Sequence, residues 1–343
     1  MRVLITGGAG LVGSHCAEYF AAKNAQVIVL DNLMRSKLLK IPHKSIEHNW
    51  RFLKKIKNVK CIEGDVRREL DVTRAIGNGV DVVIHAAGQP SVFSSGDILQ
   101  EDFDINAGGT VNVLECLRRK SKKAVFIYCS TDKIYGYDKE KKTKMGNKKK
   151  YTVNDDTQVK FSGLSAYAAS KLTGDIYTQL FGHNFKLRTA VFRMGCIYGP
   201  RQFGVELQGW VGWFVQAHLM GKKLTLYGDG SQVRDILYVN DLVMAFESFI
   251  NSRFDHRVYN IGGGSSNSLS LNDCLSILEQ ETRRKPKVRF TPCRQNDQKI
   301  CIMDIKRVSR ELRWKPRVTP QAGIRKVIKW VDDNKVFFNE EKI

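Results

Sequence analysis

The sequence predicts an α/β protein: a Rossmann-type doubly wound parallel sheet with a smaller α/β C-terminal lobe that binds substrate. Three observations predict it. The first thirty-one residues read as strand, glycine turn, helix, strand, acid. Short β-branched runs then alternate with helical ones, without the polar alternation of half-exposed strands, as expected where both sheet faces are covered. Past residue 195 this rhythm gives way to clustered glycine and aromatic residues, as in Tyr198-Gly199-Pro200 and Gln208-Gly209-Trp210.

The elements follow in order. Arg2-Val3-Leu4-Ile5-Thr6 is an apolar run ending in Gly7-Gly8-Ala9-Gly10-Leu11-Val12-Gly13. Gln26-Val27-Ile28-Val29-Leu30 is the next, closed by Asp31 and Asn32. The glycines let the backbone turn tightly and approach a pyrophosphate, which sits on the positive end of the following helix. An acid about 20 residues further on suits a ribose diol. Further strands are expected over Val59 to Asp65, Asp81 to His85 and Ala124 to Cys129. Between the last two, Ile105, Val111, Leu114 and Leu117 fall near helical spacing. Buried strands alternating with helices mean a parallel sheet. The expected division is a dinucleotide-binding domain over residues 1–190, with segments near 233–262 returning to it, and an interleaved lobe over 191–343.

Hydrophobic residues make up 42% of the 343 and charged residues 27%, ordinary for a soluble globular protein. No run approaches a membrane span. The chain enters a strand at its start, which leaves no room for a signal peptide. Eight cysteines are scattered without a Cys-x-x-Cys pair or metal-ligand spacing, so free thiols in a reducing cytoplasm and no metal are expected. Lys and Arg number 56 against 35 Asp and Glu, a net charge of +21 that attracts polyanions. The strongest basic run, Lys139 to Lys150, reads as a solvated loop. No aromatic interleaving or nucleic-acid motif accompanies it, so a compositional bias is preferred over nucleic-acid binding.

Two further runs carry chemistry. In Tyr167-Ala168-Ala169-Ser170-Lys171 the tyrosine and lysine share one helix face. A nearby ammonium lowers a tyrosine pKa, and a tyrosine so tuned takes the proton of a sugar hydroxyl while hydride leaves its carbon. Ser130-Thr131-Asp132-Lys133 follows the fifth strand, at the sheet end where ligands bind. Thr131 is placed to hydrogen-bond the reacting hydroxyl; Ser130 reads equally well as a turn cap.

With these motifs, Gly64-Asp65-Val66, His85-Ala86-Ala87-Gly88-Gln89, Asn106, Tyr198-Gly199-Pro200-Arg201 and Gly228-Asp229-Gly230-Ser231-Gln232-Val233-Arg234-Asp235 span nearly the whole chain. Together they resemble the extended short-chain dehydrogenase/reductases of the NAD-dependent nucleotide-sugar epimerase/dehydratase family. The resemblance implies NAD as cofactor, held by Gly7, Gly10, Leu11, Val12, Asp31, Asn32, Asp65, Val66, Ala86, Ala87, Gly88, Asn106, Tyr167 and Lys171. Asp31 favours NAD over NADP, because its carboxylate repels a 2′-phosphate. The implied catalytic set is Thr131, Tyr167 and Lys171. A nucleotide-diphosphate sugar would be held by Gln89, Thr131, Cys196, Arg201, Gln208, Arg234 and Arg294. Arg234 and Arg294 would clamp the diphosphate in the bidentate manner of guanidinium groups. A homodimer through helices near 105–119 and 167–181 is also implied.

The departures sharpen the reading. The family's 4,6-dehydratases continue Ser-Thr-Asp with a glutamate that serves elimination; this chain has Lys133. Its 4-epimerases carry an asparagine where this chain has Cys196. Arg201-Gln202-Phe203-Gly204, Gln208-Gly209-Trp210-Val211, Asn267 to Leu271 and Asp297-Gln298-Lys299 resemble the CDP-paratose 2-epimerase branch, although that branch has an acid in place of Leu207. Trp210 and Trp213 fit either the sugar site or the lobe core. The expected function is thus an NAD-dependent epimerase acting at C2 of a CDP-hexose. The alternatives are a 4-epimerase or dehydrogenase of nucleotide sugars and, from another class, a polyanion-binding protein on a dinucleotide-binding scaffold.

Overall fold

The computed structural model describes residues 1–39, 44–89, 98–136, 143–145, 148–150, 152–154, 157–159, 161, 164–206, 208–293 and 299–338. The strands that position the site are β1 (Arg2–Thr6), β2 (Gln26–Asp31), β3 (Val59–Glu63), β4 (Val82–His85), β5 (Val125–Thr131), β6 (Arg188–Met194), β7 (Cys196–Tyr198), β8 (Val233–Tyr238), β9 (His256–Ile261) and β10 (Ile300–Met303). The helices around them are α1 (Leu11–Ala22), α2 (Gly109–Lys120), α3 (Ala166–Phe185), α4 (Trp210–Leu219), α5 (Val239–Ile250) and α6 (Pro320–Asp333).

Seven strands pair in the order β9-β6-β5-β4-β1-β2-β3, all parallel. The winding reverses between β1 and β4, and a crevice at such a switch point is where open α/β sheets bind ligands. Thr6 and His85 are in register at its mouth, with Thr6 Oγ1 2.7 Å from His85 Nδ1.

Alternating side chains explain why both faces are covered. Val3, Ile5, Val29 and Ile127 pack with Phe20 of α1 and Phe246 of α5 on one side. Leu4, Leu30, Val83 and Phe126 pack with Leu117 of α2 and Phe181 of α3 on the other. Each such buried side chain contributes about 1.5–3 kcal/mol of transfer free energy.

A second sheet runs β7-β8-β10 and on to Thr152–Val153, with Ser268–Ser270 antiparallel against β8. Its core joins Tyr198, Phe214 and Ile236 to Ile324 and Val327 of α6. Trp210 and Trp213 pack against this core, so their place is structural.

Two details differ from the sequence reading. β5 continues past Cys129 to Thr131, which puts Thr131 on the last residue of a fully buried strand. Within the lysine-rich run, Thr143–Met145 pairs antiparallel with Lys148–Lys150. Among the described residues no helix is long and apolar enough to cross a membrane, and the eight cysteines are free thiols.

Candidate active site

A cavity of about 300 Å³ opens at the switch point. Gly7, Gly10, Leu11 and Val12 line one side, Asp31, Asn32 and Val66 the end, and Ala86, Ala87, Gly88 and Gln89 the floor, with Tyr167, Lys171 and Gln208 facing them. Gly7 has φ +69°, and a side chain there would overlap the Ala87 backbone. A methyl on Gly13 would overlap the Gly7 carbonyl. The loop is therefore as close to β4 and α1 as a backbone can come. Helix α1 starts at Gly10 with no side-chain cap and no acid in its first turn. Its first N–H groups are left for an anion, and the helix dipole favours one.

Asp31 accepts the Ala9 N–H on one oxygen and the Leu33 N–H on the other, both at 2.8 Å. Burial raises its pKa, the two N–H donors oppose that, and the charge of Asp65 adds to it. Both oxygens keep lone pairs for a ribose diol. A glycine cradle, an uncapped helix start and a fixed carboxylate fit a dinucleotide. Arg35 does not turn to a 2′-phosphate position. It donates to Phe203 O at 2.9 Å and Gln208 Oε1 at 3.0 Å, and burial lowers it to about 10.

Asp65 and Asn106 support the cavity without lining it. The Asp65 carboxylate takes Arg67 Nη2 at 2.6 Å and Asn32 Nδ2 at 2.9 Å. Burial alone would raise Asp65; its hydrogen bonds from Arg67 and Asn32 bring it down to about 2. Asn106, fully buried, accepts the Gln89 N–H at 3.0 Å and donates to Ser170 Oγ at 3.0 Å, tying the cavity floor to α3. It lies in a π-helical turn, Phe103–Gly108, a local distortion common at functional sites.

Thr131 caps the 3₁₀ turn Asp132–Tyr135, and its hydroxyl hydrogen-bonds Tyr167. Ser165 caps α3, accepting the Ala168 N–H at 3.2 Å, so Tyr167 sits in the first helical turn. Burial pushes the Tyr167 phenol up to about 12; Thr131 and then Lys133 oppose the rise, while Asp132 and Asp102 add to it. Lys171 is buried, which lowers it to about 8, against the charges of Cys129 and Asp175. Its Nζ lies 4.5 Å over the Tyr128 ring. The sequence reading makes Lys171 the group that tunes Tyr167. Here the Lys171 ammonium lies on the Tyr128 ring, Thr131 lowers the phenol, and Lys133 lowers it less than Asp132 raises it.

Other expected substrate residues are placed differently. Arg201 is buried against α1, with Nη2 2.7 Å from Glu18 Oε2 and its guanidinium 4.4 Å over Phe52, so it braces the fold. Cys196 does not line the cavity; it lies beside Trp210, Lys133 and Arg234. Arg234 Nη1 donates to its neighbour Val233 O at 2.8 Å, and the side chain lies near Cys301 as well. Arg294, Leu207, Asp297 and Gln298 lie outside the described residues. Gln202, Met194 and Ile197 also line the cavity. Met194 and Ile197 come from β6 and β7, and Gln202 from the Arg201-Gln202-Phe203-Gly204 run that follows them.

Residues 3–262 match the NAD dependent epimerase/dehydratase family. The chain belongs to this family. CDP-paratose 2-epimerase of Salmonella typhi is 36% identical over 345 residues, covering 96% of this chain and 99% of that protein. dTDP-glucose 4,6-dehydratase of Salmonella typhimurium is 28% identical, covering 100% of this chain and 96% of that one. The crystal structure of Thermus thermophilus UDP-glucose 4-epimerase in complex with NAD matches with a TM-score of 0.80 at 30% identity, covering 97% of this chain and 99% of that one. Family membership makes the protein an NAD-dependent enzyme on the Rossmann-type scaffold that its first thirty-one residues announce.

Proposed function

We propose that this protein epimerises a nucleotide-diphosphate sugar, inverting C2 of a CDP-hexose by transient oxidation. The observation that carries the reading is the Thr131–Tyr167 hydrogen bond at the cavity of the glycine loop, with Lys133 where elimination would need a carboxylate. The likeness to CDP-paratose 2-epimerase supports C2 and the cytidine nucleotide.

When bound, NAD supplies a hydride acceptor and a positive nicotinamide ring. Gly7, Gly10, Leu11 and Val12 would hold its pyrophosphate through backbone N–H groups, and Asp31 would take a ribose diol. Ala86, Ala87, Gly88 and Lys171 would border its other end. Arg234 and Arg294 pair with the sugar diphosphate. Thr131 orients the reacting hydroxyl. The Tyr167 phenolate takes the hydroxyl proton as hydride departs from the same carbon, leaving a ketone. With the sugar turned over, Tyr167 would give its proton back to the oxygen as the carbon is reduced from its other face. The oxidised carbon is the inverted one, so no second acid–base pair is needed. Net redox is zero, and the cofactor stays bound. In this reading the NAD domain is residues 1–190, continued through β6, with α5 and β9 returning to it, and the sugar lobe is the rest of 191–343, β8 included. Eight free thiols support a reducing, cytoplasmic setting.

The test offers purified protein CDP-, UDP-, GDP- and dTDP-hexoses deuterated at the carbon to be inverted, and follows them by NMR. The expected result is interconversion of a CDP-hexose pair at C2 with the deuterium retained. Absence of exchange in every CDP-hexose, or loss of the label to water, overturns it. A second reading, inversion at C4 of a UDP-sugar, is favoured by the likeness to UDP-glucose 4-epimerase and would appear as exchange at C4.

A further inference from the structure

Arg35 and Gln208 both line the cavity, and the reaction above leaves Arg35 unused. Arg35 opens the short helix Arg35–Leu39 after β2, whereas Gln208 lies just before α4. One nitrogen of the guanidinium, Nη2, donates to Phe203 O at 2.9 Å, Gln208 Oε1 at 3.0 Å and Gln202 O at 3.5 Å. Gln208 is itself fixed by two backbone bonds with Val205, each 2.9 Å. A second tie joins the same segment to the glycine loop. Buried Asn49 donates to Ala9 O at 2.8 Å and to Arg201 O at 3.2 Å. The segment after β7 is thus bound across the cavity rim at two points. Its backbone needs such ties. Arg201 and Phe203 have φ of +62° and +42°, and Leu33, just ahead of Arg35, has +58°. Each is a left-handed conformation that is costly for a residue with a side chain, and it persists only where the surroundings hold it.

We propose that Arg35 is a positioning residue for the cofactor: it latches Arg201–Phe203 and Gln208 across the rim of the cavity and sets how slowly NAD enters and leaves. The proposal deepens the reading in which the cofactor stays bound through turnover. It rests on NAD filling this cavity, not on which sugar is the substrate. The acceptors of Arg35 explain how the latch works. All three are protein oxygens, so the latch is available to the empty and the loaded protein alike. A contact common to two states cancels from the equilibrium between them and acts on rates alone. A residue that touched NAD itself would slow departure only, and would raise affinity. A dehydrogenase that trades its cofactor with the surroundings gains nothing from a latch. An enzyme that oxidises and then reduces one sugar does, since cofactor lost between the two steps would strand the ketone.

The split between rate and affinity supplies the experiment. Protein loaded with isotopically labelled NAD is chased with excess unlabelled NAD, and the label retained after gel filtration is followed in time. Equilibrium dialysis against a series of labelled NAD concentrations gives the affinity. Arg35→Met should speed dissociation about tenfold or more, the usual weight of a hydrogen bond from a charged group. Its affinity should change by less than about threefold, so that association rises in step. Arg35→Lys should fall between the two, because an ammonium also offers several N–H groups from one nitrogen. Gln208→Leu, which removes one acceptor, should speed dissociation less than Arg35→Met. An unchanged dissociation rate in Arg35→Met overturns the proposal. So does a loss of affinity equal to the gain in dissociation, which would make Arg35 a cofactor contact. If Arg35→Met does not fold, wild-type retention by both Arg35→Lys and Gln208→Leu overturns it. The measurement needs no sugar, so it stands if the substrate reading fails. Wild-type protein that binds no NAD would overturn the cofactor reading itself.

Discussion

Tyr167 and Lys171 share one helix face yet meet different surroundings. The phenol reaches Thr131, whereas the ammonium lies on the Tyr128 ring. Removing only the phenolic oxygen in Tyr167→Phe keeps the packing and removes the proton acceptor. Turnover should fall about 10²–10⁴-fold with the cofactor still bound, as measured by the NMR assay and by nucleotide released on denaturation. Lys171 predicts a stability effect. Its pKa falls from the ordinary lysine value to about 8 because it is buried. Between those two values the unfolded chain binds more protons than the native one, so stability rises with pH. Below pH 8 the charged lysine costs the native state up to about 3 kcal/mol. Denaturant midpoints of cofactor-free protein should therefore climb from pH 8 toward 10, and Lys171→Met should flatten the climb; a parallel climb in both proteins refutes it. The spacing of these two residues was legible because a helix fixes it. Arg201 was not, since its partners Ser14, Glu18 and Phe52 come from far away in the chain. Nothing in Tyr198-Gly199-Pro200-Arg201 says that the guanidinium turns away from the cavity.

At the scale of elements, the glycine loop and α1 act as one unit. Gly13 lies on the first turn of α1, where a methyl group would strike the Gly7 carbonyl and the Gly8 Cα. Both obstacles are backbone, so neither rotates away. Gly13→Ala should push α1 from the loop and spoil the N–H cradle. The expected outcome is protein that purifies without NAD, with a lowered melting temperature; full NAD content would show that the loop yields. β1, β2, β4 and β5 were legible because each is a short apolar run covered on both sides. The rest of the sheet was harder. Arg188–Met194 begins and nearly ends in arginine, yet it lies inside the sheet between β5 and β9, and its charges are absorbed by distant partners. Arg188 donates to the carbonyls of Phe249 and Phe254, and Arg193 pairs with Asp175 at 2.9 Å. Such pairing is invisible to periodicity. So is the exchange between sheets, in which β8 joins the lobe while β9 returns to the edge of the main sheet.

At the scale of the whole molecule, helix α3 presents two unlike faces. One carries Lys171 into the cavity. The other exposes Ile176, Tyr177 and Leu180, which are 51%, 39% and 37% accessible and spaced to form one stripe. Phe103 and Leu99 lie nearby in sequence to α2 and are 55% and 60% accessible. Exposed apolar side chains grouped in this way suit an interaction surface. A second copy of the chain is the occupant the family resemblance implies, with α2 and α3 meeting their counterparts. Each copy carries +21, so association opposes a strong long-range repulsion. Apolar burial must exceed that repulsion, and salt shortens its range to about 10 Å at 0.1 M. The dimer should therefore tighten as salt rises, the reverse of an assembly held by ion pairs. Ile176→Glu with Leu180→Glu buries carboxylates without partners and should give a monomer at every salt concentration. The NAD content should be unchanged, because the substituted face points away from Lys171. Light scattering across a salt series reads both effects. A wild-type protein that stays monomeric at high salt, or a double variant that remains dimeric, would show that this stripe has another use.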